Sequence, residues 1–281
     1  MLHAYRFRVE FVWGHQSRII GLSKTNPSYY YPPPTTIIGA IGEVLAKKYR
    51  LGEKPETTRR LLAEISSKIL AIGVKPVNAI PVKHMDINKI LAVKITGGIR
   101  YPSTRNILGS FDAPARGKTI MSSLDGNPPM IDIALVLTDI VFNIGGKRVK
   151  LYKDVLWGIH RLGSKESIVS TIRVDYSTDV GVEEGIVVTK YSFPVTNGVE
   201  PLEEIRRKWV YEVYVDPFKM DPRKSVLEAY LGGDYVTVYR VPIKIEAIKE
   251  PSIKLRISKP MAAYNIKFNG RHREIIVGRS A

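Results

Sequence analysis

The chain has no cysteine among its 281 residues, which excludes disulfides, thiolate metal centres and a cysteine nucleophile. Its five histidines, at 3, 15, 84, 160 and 272, show no HExxH or other close ligand spacing, so neither a metal nor a cofactor is expected. The Gly-Gly pairs at 97, 145 and 232 are not followed by GK[ST] and a helix, which argues against nucleotide hydrolysis. Asp132 and Asp139 are oddly spaced on one apolar strand, so a two-metal carboxylate pair is not evident. No apolar run is long enough to span a bilayer, and Met1-Leu2-His3 leads straight into an alternating strand without an apolar signal core. A soluble, cytoplasmic protein with no membrane partner is the expectation. Acidic residues are also scarce: 27 Asp+Glu stand against 43 Lys+Arg, a formal net charge of +16. Such an excess points to a polyanion, nucleic acid before an anionic membrane, with a merely basic surface as the plainer reading.

What the chain does have is one unusual stretch, Tyr29-Tyr30-Tyr31-Pro32-Pro33-Pro34 followed by Thr35-Thr36-Ile37-Ile38-Gly39-Ala40-Ile41-Gly42. Three prolines fix φ and remove three backbone donors, so the chain arrives extended. Thr35 or Thr36 is placed to cap a helix running to about Tyr49. Gly39, Gly42 and Ala46 share one side of that helix, although an interior glycine costs about 1 kcal/mol relative to alanine. The side therefore suits a close backbone approach, and the helix N-terminus suits a phosphate.

The rest divides at about residue 178. Residues 3–13 alternate with period two, placing Tyr5, Phe7, Val9 and Phe11 on an inner face and Arg6, Arg8 and Glu10 on an outer one. Pro55 opens a second helix with Leu61, Leu62, Ile65 and Ile69 on one face, and residues 70–74 read as a strand. Strands at 131–142 and 168–176 flank a helix from Tyr152 that Gly163 is placed to end. The order is strand, two helices, strand, insert, strand, helix, strand, which predicts an α+β, ferredoxin-like (RRM-like) domain over 1–178. Its insert, a hairpin or arm, spans about 97–128. Residues 179–281 are short valine-, isoleucine- and tyrosine-rich strands, either a β-rich C-terminal domain or a second, degenerate sandwich.

Candidate contacts follow from charge. The arm interleaves Arg100, Arg105, Arg116 and Lys118 with Tyr101 and Phe111, a composition for stacking on unpaired bases, or else a solvated loop. The turn Arg161-Leu162-Gly163-Ser164-Lys165-Glu166-Ser167 is either an anion cradle or a basic helix C-cap. Arg18 and Lys24, in a basic loop before the prolines, and Tyr31 complete the set of candidate RNA-binding residues. His15, Lys24 and one of Tyr29 to Tyr31 could supply acid, base and charge stabiliser for metal-independent RNA cleavage.

The run from Tyr31 to Gly42 after an opening strand resembles the N-terminal signature of the CRISPR-associated RAMP proteins of family five. The segment Arg161 to Ser167 is similar to that of archaeal type I-A members. The resemblance implies a non-catalytic subunit of the interference complex, Cascade, with a ferredoxin-like body and an inserted hairpin, the thumb. It implies a grip on the repeat-derived 5′ tag of the guide RNA, a cap on the filament of backbone RAMP subunits, and contact with the large subunit. The helicase-nuclease of the effector is a further candidate partner. One branch of the family cleaves precursor guide RNA with a Tyr, Lys and His set, so a metal-independent endoribonuclease is the alternative.

Overall fold

The computed structural model describes the chain except residues 18, 20–25, 53, 88–89, 113–114, 204–207, 234, 245–249 and 270–271. The protein is α+β with far more strand than helix. At its centre lies an antiparallel sheet of β1 (His3–Phe11), β2 (Ile69–Pro76), β5 (Met130–Leu137) and β8 (Val169–Ser177), in the order β8-β1-β5-β2. Between β1 and β2 come α1 (Pro34–Tyr49) and α2 (Pro55–Lys68). The segment between β2 and β5 carries the long pair β3 (Ile80–Ile87) and β4 (Ala115–Ser122). After β5 come a small hairpin, β6 (Val141–Ile144) and β7 (Lys147–Lys150), and the short helix α3 (Lys153–Trp157).

The period-two pattern of β1 sends Tyr5, Phe7, Val9 and Phe11 into the main core with Ile37, Ile38, Ile41 and Leu45 of α1 and Leu61 and Ile65 of α2. Each such fully buried side chain contributes about 1.5–3 kcal/mol. Gly42 faces α2, where a Cβ would stand 2.7 Å from Leu62 Cδ2 and push that side chain aside.

The other face of the sheet is not open. β11 (Met261–Phe268) and β12 (His272–Arg279) form a hairpin packed across it, joining Ala4, Leu70, Ala71, Ala134 and Val136 in a second core with Tyr264, Ile266, Phe268 and Ile276. Small residues set this contact: a Cβ on Gly278 would meet Leu70 O at 2.0 Å. On the charged outer face of β1, Arg6 is thereby buried and Arg8 half-buried, and both arginines are paired. Arg6 Nη2 reaches Asp175 at 2.7 Å and its Nη1 reaches Glu274 at 2.8 Å; Arg8 Nε reaches Asp132 at 2.7 Å; Lys75 Nζ reaches Glu274 at 2.9 Å. Burial pushes the Asp175 carboxyl up, but Arg6 and Arg173 outweigh it and hold the group below the usual carboxylate range. A sheet face covered this way cannot stack bases as RRM sheets do.

Several expectations change. α1 begins at Pro34, its N-cap is Pro33, and Thr35 and Thr36 lie inside the first turn without capping it. The helix expected to reach Gly163 stops at Trp157, because Gly158 sits against α1, where a Cβ would come 2.8 Å from Val44 Cγ1. The insert starts earlier than residue 97, since β3 pairs with β4 from Ile80↔Ser122 to Ile87↔Ala115. The C-terminal third also enters the main core through Tyr214, Tyr239 and Val241, carried by β9 (Trp209–Val215) and β10 (Val236–Pro242). Strand β12 was not expected from the sequence at all.

Candidate nucleic-acid interface

Two segments about 120 residues apart in sequence meet at the N-terminus of α1. The approach to the helix is fixed from the C-terminal third. Tyr30 N donates to Glu212 Oε1 at 2.9 Å, the Tyr29 hydroxyl donates to Val213 O at 2.9 Å, and Lys83 Nζ lies 3.1 Å from Glu212 Oε1. Burial raises the Glu212 pKa, against the opposing pull of Lys83 and the Tyr214 hydroxyl. From the other side comes the 161–167 turn. Ser164 N donates to Gln16 O at 3.1 Å, and Gln16 N donates to Ser167 Oγ at 2.9 Å. Gly163 has φ +121°, and a Cβ there would stand 2.8 Å from Gln16 O and 3.0 Å from both Ser167 Oγ and Ser17 Oγ. Only glycine allows this turn to close on the strand exit.

Between these elements lies a cleft of about 340 Å³, walled by Gln16 and Ser17, Thr35, Thr36 and Gly39, Arg161 and Gly163, and Tyr214 with Val215. Three features mark it as a place for something else. Gln16 and Ser17 are 8% and 7% exposed, yet Gln16 Nε2 and Ser17 Oγ have no hydrogen-bond partner among the described residues. Such buried polar groups normally find one. Gly39, unlike Gly42, faces open space: a Cβ there would meet nothing within 4 Å. The first turn of α1 contains no acidic residue and its N-cap offers no side-chain bond. Thr36 N and Ile37 N both point to Pro33 O, at 2.9 and 3.2 Å, and the Thr35 N–H has no partner among the described residues.

Arg161 belongs to the cleft, but as half of an ion pair, its Nη2 lying 2.9 Å from Glu43 Oε2. Arg161 and Lys47 outweigh burial and hold Glu43 below the usual carboxylate range. Behind that pair the cleft continues into a groove of about 690 Å³ along α1, past Ala46, Lys47 and Arg50 to Leu62 of α2. Ser164 bonds the Ser167 hydroxyl at 3.1 Å, and Lys165 is exposed with no ion pair among the described residues.

The remaining predicted residues separate. Tyr31 is corrected: it is 1% exposed in the main core, because the proline run turns it inward, and it presents no ring to a base. Tyr101 is 8% exposed, its hydroxyl accepting from Asn106 Nδ2 at 3.1 Å, so it props its own loop rather than offering a platform. Phe111 is 47% exposed. Arg100 and Arg105 are exposed on the arm with no ion pair among the described residues. Arg116 is half-buried, and Lys118 pairs with Asp86 at 2.7 Å. Arg18 and Lys24 lie outside the described residues. His15 is fully buried, its Nε2 3.3 Å from Tyr30 O; burial first, and Lys83 second, push its pKa down to about 4. It is a neutral core imidazole. Among the described residues no group of three or more His, Asp or Glu side chains is placed to hold a metal, and no helix is long and apolar enough to cross a membrane. Sequence reasoning missed Gln16, Ser17, Tyr214 and Val215. A polar pair at the exit of β1 was the one available signal; nothing local marks residues that arrive from 180 positions away.

A family model described as CRISPR-associated protein (Cas_Cas5) matches residues 4–235. Among solved structures, a CRISPR protein from Archaeoglobus fulgidus shares 36% identity, covers 100% of both chains and superposes with a TM-score of 0.70. A chain of the type III-B Cmr-beta complex bound to cognate target RNA and AMPPnP shares 10% identity over 89% of this chain and 86% of its own, at a TM-score of 0.37, too low to carry an argument. No curated protein matches the sequence.

Proposed function

The chain belongs to the CRISPR-associated Cas5 family, and from that premise we propose that it is a non-catalytic subunit of a type I-A interference complex that binds the repeat-derived 5′ tag of the guide RNA. In this reading the body is ferredoxin-like, β3 and β4 with the loops between them are the thumb, and the subunit caps the filament of backbone RAMP subunits in the cytoplasm. The large subunit and the helicase-nuclease of the effector are its further neighbours. One observation carries the proposal. The two segments with family character, Pro32 to Gly42 and Arg161 to Ser167, converge on one cleft whose wall holds the unpartnered Gln16 and Ser17. Because the outer sheet face is occupied by β11 and β12, single-stranded RNA is left the cleft, the groove along α1 and the arm. Phosphate contacts supply affinity there, and base contacts in the cleft supply tag selectivity.

The test is a titration of tagged and untagged RNA against the wild type and Gly39→Gln, a substitution that places a side chain into open space. A tagged-RNA preference that drops by about 1–3 kcal/mol in the variant is the expected result. Equal affinities in the wild type would reduce the protein to a nonspecific basic surface. The endoribonuclease alternative needs His15 at a 2′-hydroxyl, and its burial disfavours that role. A discrete cut in repeat RNA incubated with the protein in EDTA would restore it.

A further inference from the structure

A second cationic site lies at the opposite end of α1. Helix α1 has 16 residues, so at about 1.5 Å per residue its ends are roughly 24 Å apart. Beside its last turn is a concavity of about 690 Å³ lined by Tyr5, Ile140, Tyr152, Tyr176, the lysines 48, 150 and 153, and one acid, Asp154. None of these residues lines the cleft at the N-terminus. We propose that this concavity binds one nucleotide unit of single-stranded nucleic acid, its base against Tyr152 and its phosphates on Lys150 and Lys153.

The arrangement of charge supports this. Lys150 Nζ and Lys48 Nζ lie 4.7 and 5.6 Å from the centroid of the same Tyr152 ring. Two ammonium groups at one ring attract the ring but repel each other. Lys48 is neutralised by Asp154. Lys150 and exposed Lys153 have no ion pair among the described residues. The same hairpin adds exposed Lys147 and Arg148, Lys147 donating to Arg50 O at 3.2 Å, with no acid between them. At the floor, His3 Nδ1 lies 2.7 Å from the Tyr176 hydroxyl; burial first lowers the His3 pKa, Asp139 opposes it, and the N-terminus and Lys150 lower it further. Tyr152 is 47% exposed although ringed by cations. An apolar, aromatic floor whose rim carries two lysines, Lys150 and Lys153, without an ion pair among the described residues fits a ligand with a flat face and an anionic tail.

The experiment uses the full chain and a short oligouridylate that contains 4-thiouridine and lacks any tag. Irradiation is expected to crosslink it at Tyr152 in the wild type and in Tyr152→Phe, and not in Tyr152→Ala. The double variant Lys150→Ala, Lys153→Ala removes two phosphate contacts and should flatten the log–log salt slope by about 1.4. Tyr152 and Lys153 are exposed and Lys150 is half-buried, so none of these variants removes a core side chain. An unchanged slope, or crosslinks confined to other segments, would overturn the site, as would displacement of the oligonucleotide by a glutamate-rich peptide but not by excess oligouridylate. The result is separable from tag recognition: Gly39→Gln should leave the Tyr152 crosslink intact. A crosslink at Tyr152 in a protein that shows no tag preference would support this site and sink the proposed function.

Discussion

The cleft and the arm are both glycine-bearing, yet they are built on opposite terms. In the cleft the frame is fixed by internal contacts, while Gln16 Nε2 and Ser17 Oγ have no partner among the described residues. Arg161 is paired with Glu43, Ser167 holds Gln16, and Gly163 sits where a side chain would collide with three atoms. In the arm, Gly97 and Gly98 have φ of +57° and +77° with nothing within 4 Å of a would-be Cβ. Arg100 and Arg105 there have no ionic partner among the described residues, and apolar side chains such as Val93, Ile95 and Leu108 stand 85%, 74% and 91% exposed. The cleft is preorganised and can discriminate by shape. The arm offers unpaired charge and exposed apolar surface.

The largest test of that contrast is acid. His15 lies behind the cleft wall with a folded pKa of about 4, against an ordinary 6.5. The unfolded chain takes up this proton first, so its contribution is complete above pH 6.5 and lost as pH falls towards 4, by up to about 3 kcal/mol. Thermal melts between pH 7 and 4.5 should show the decline, and His15→Gln should flatten it. A profile as steep in the variant would assign the loss to carboxylates, although Asp175, held below the usual range, titrates lower still.

Next come the glycines themselves. Gly163→Ala should destabilise by about 1–3 kcal/mol, since it adds both a collision and an unfavourable φ. Gly98→Asn on the arm should stay within about 0.5 kcal/mol, because asparagine tolerates that conformation and no neighbour is near. Urea titrations of the two measure the contrast directly, and equal losses would erase it. The smallest effect belongs to the arm's charges. Replacing Arg100 and Arg105 with alanine should leave the melting temperature unchanged and flatten the salt slope for RNA by about 1.4 if both meet phosphates.

Much of the fold was legible because its signals are local. The alternation of β1, the proline entry to α1 and the apolar stripe of α2 each follow from backbone sterics and from the side-chain period of a strand or helix. The two segments of the cleft were also legible, one as a glycine-marked helix and the other as a basic, glycine-bearing turn. That they touch was not, because contact between residues 39 and 161 depends on the path of everything between them. The helix expected through Gly163 failed for a related reason. Its apolar spacing was real, but Gly158 was needed against Val44, and packing outweighed propensity.

By itself the sequence determined composition, charge and periodicity: a basic α/β chain without redox or metal chemistry in cysteine, and a strand with arginines on alternate positions. It could not tell whether those arginines faced water. The tertiary structure decided it: β11 and β12 close over Arg6 and bring Glu274 to it, while Arg8 stays half-buried and pairs with Asp132 of β5. A period-two pattern specifies two faces, and only long-range packing specifies what covers each.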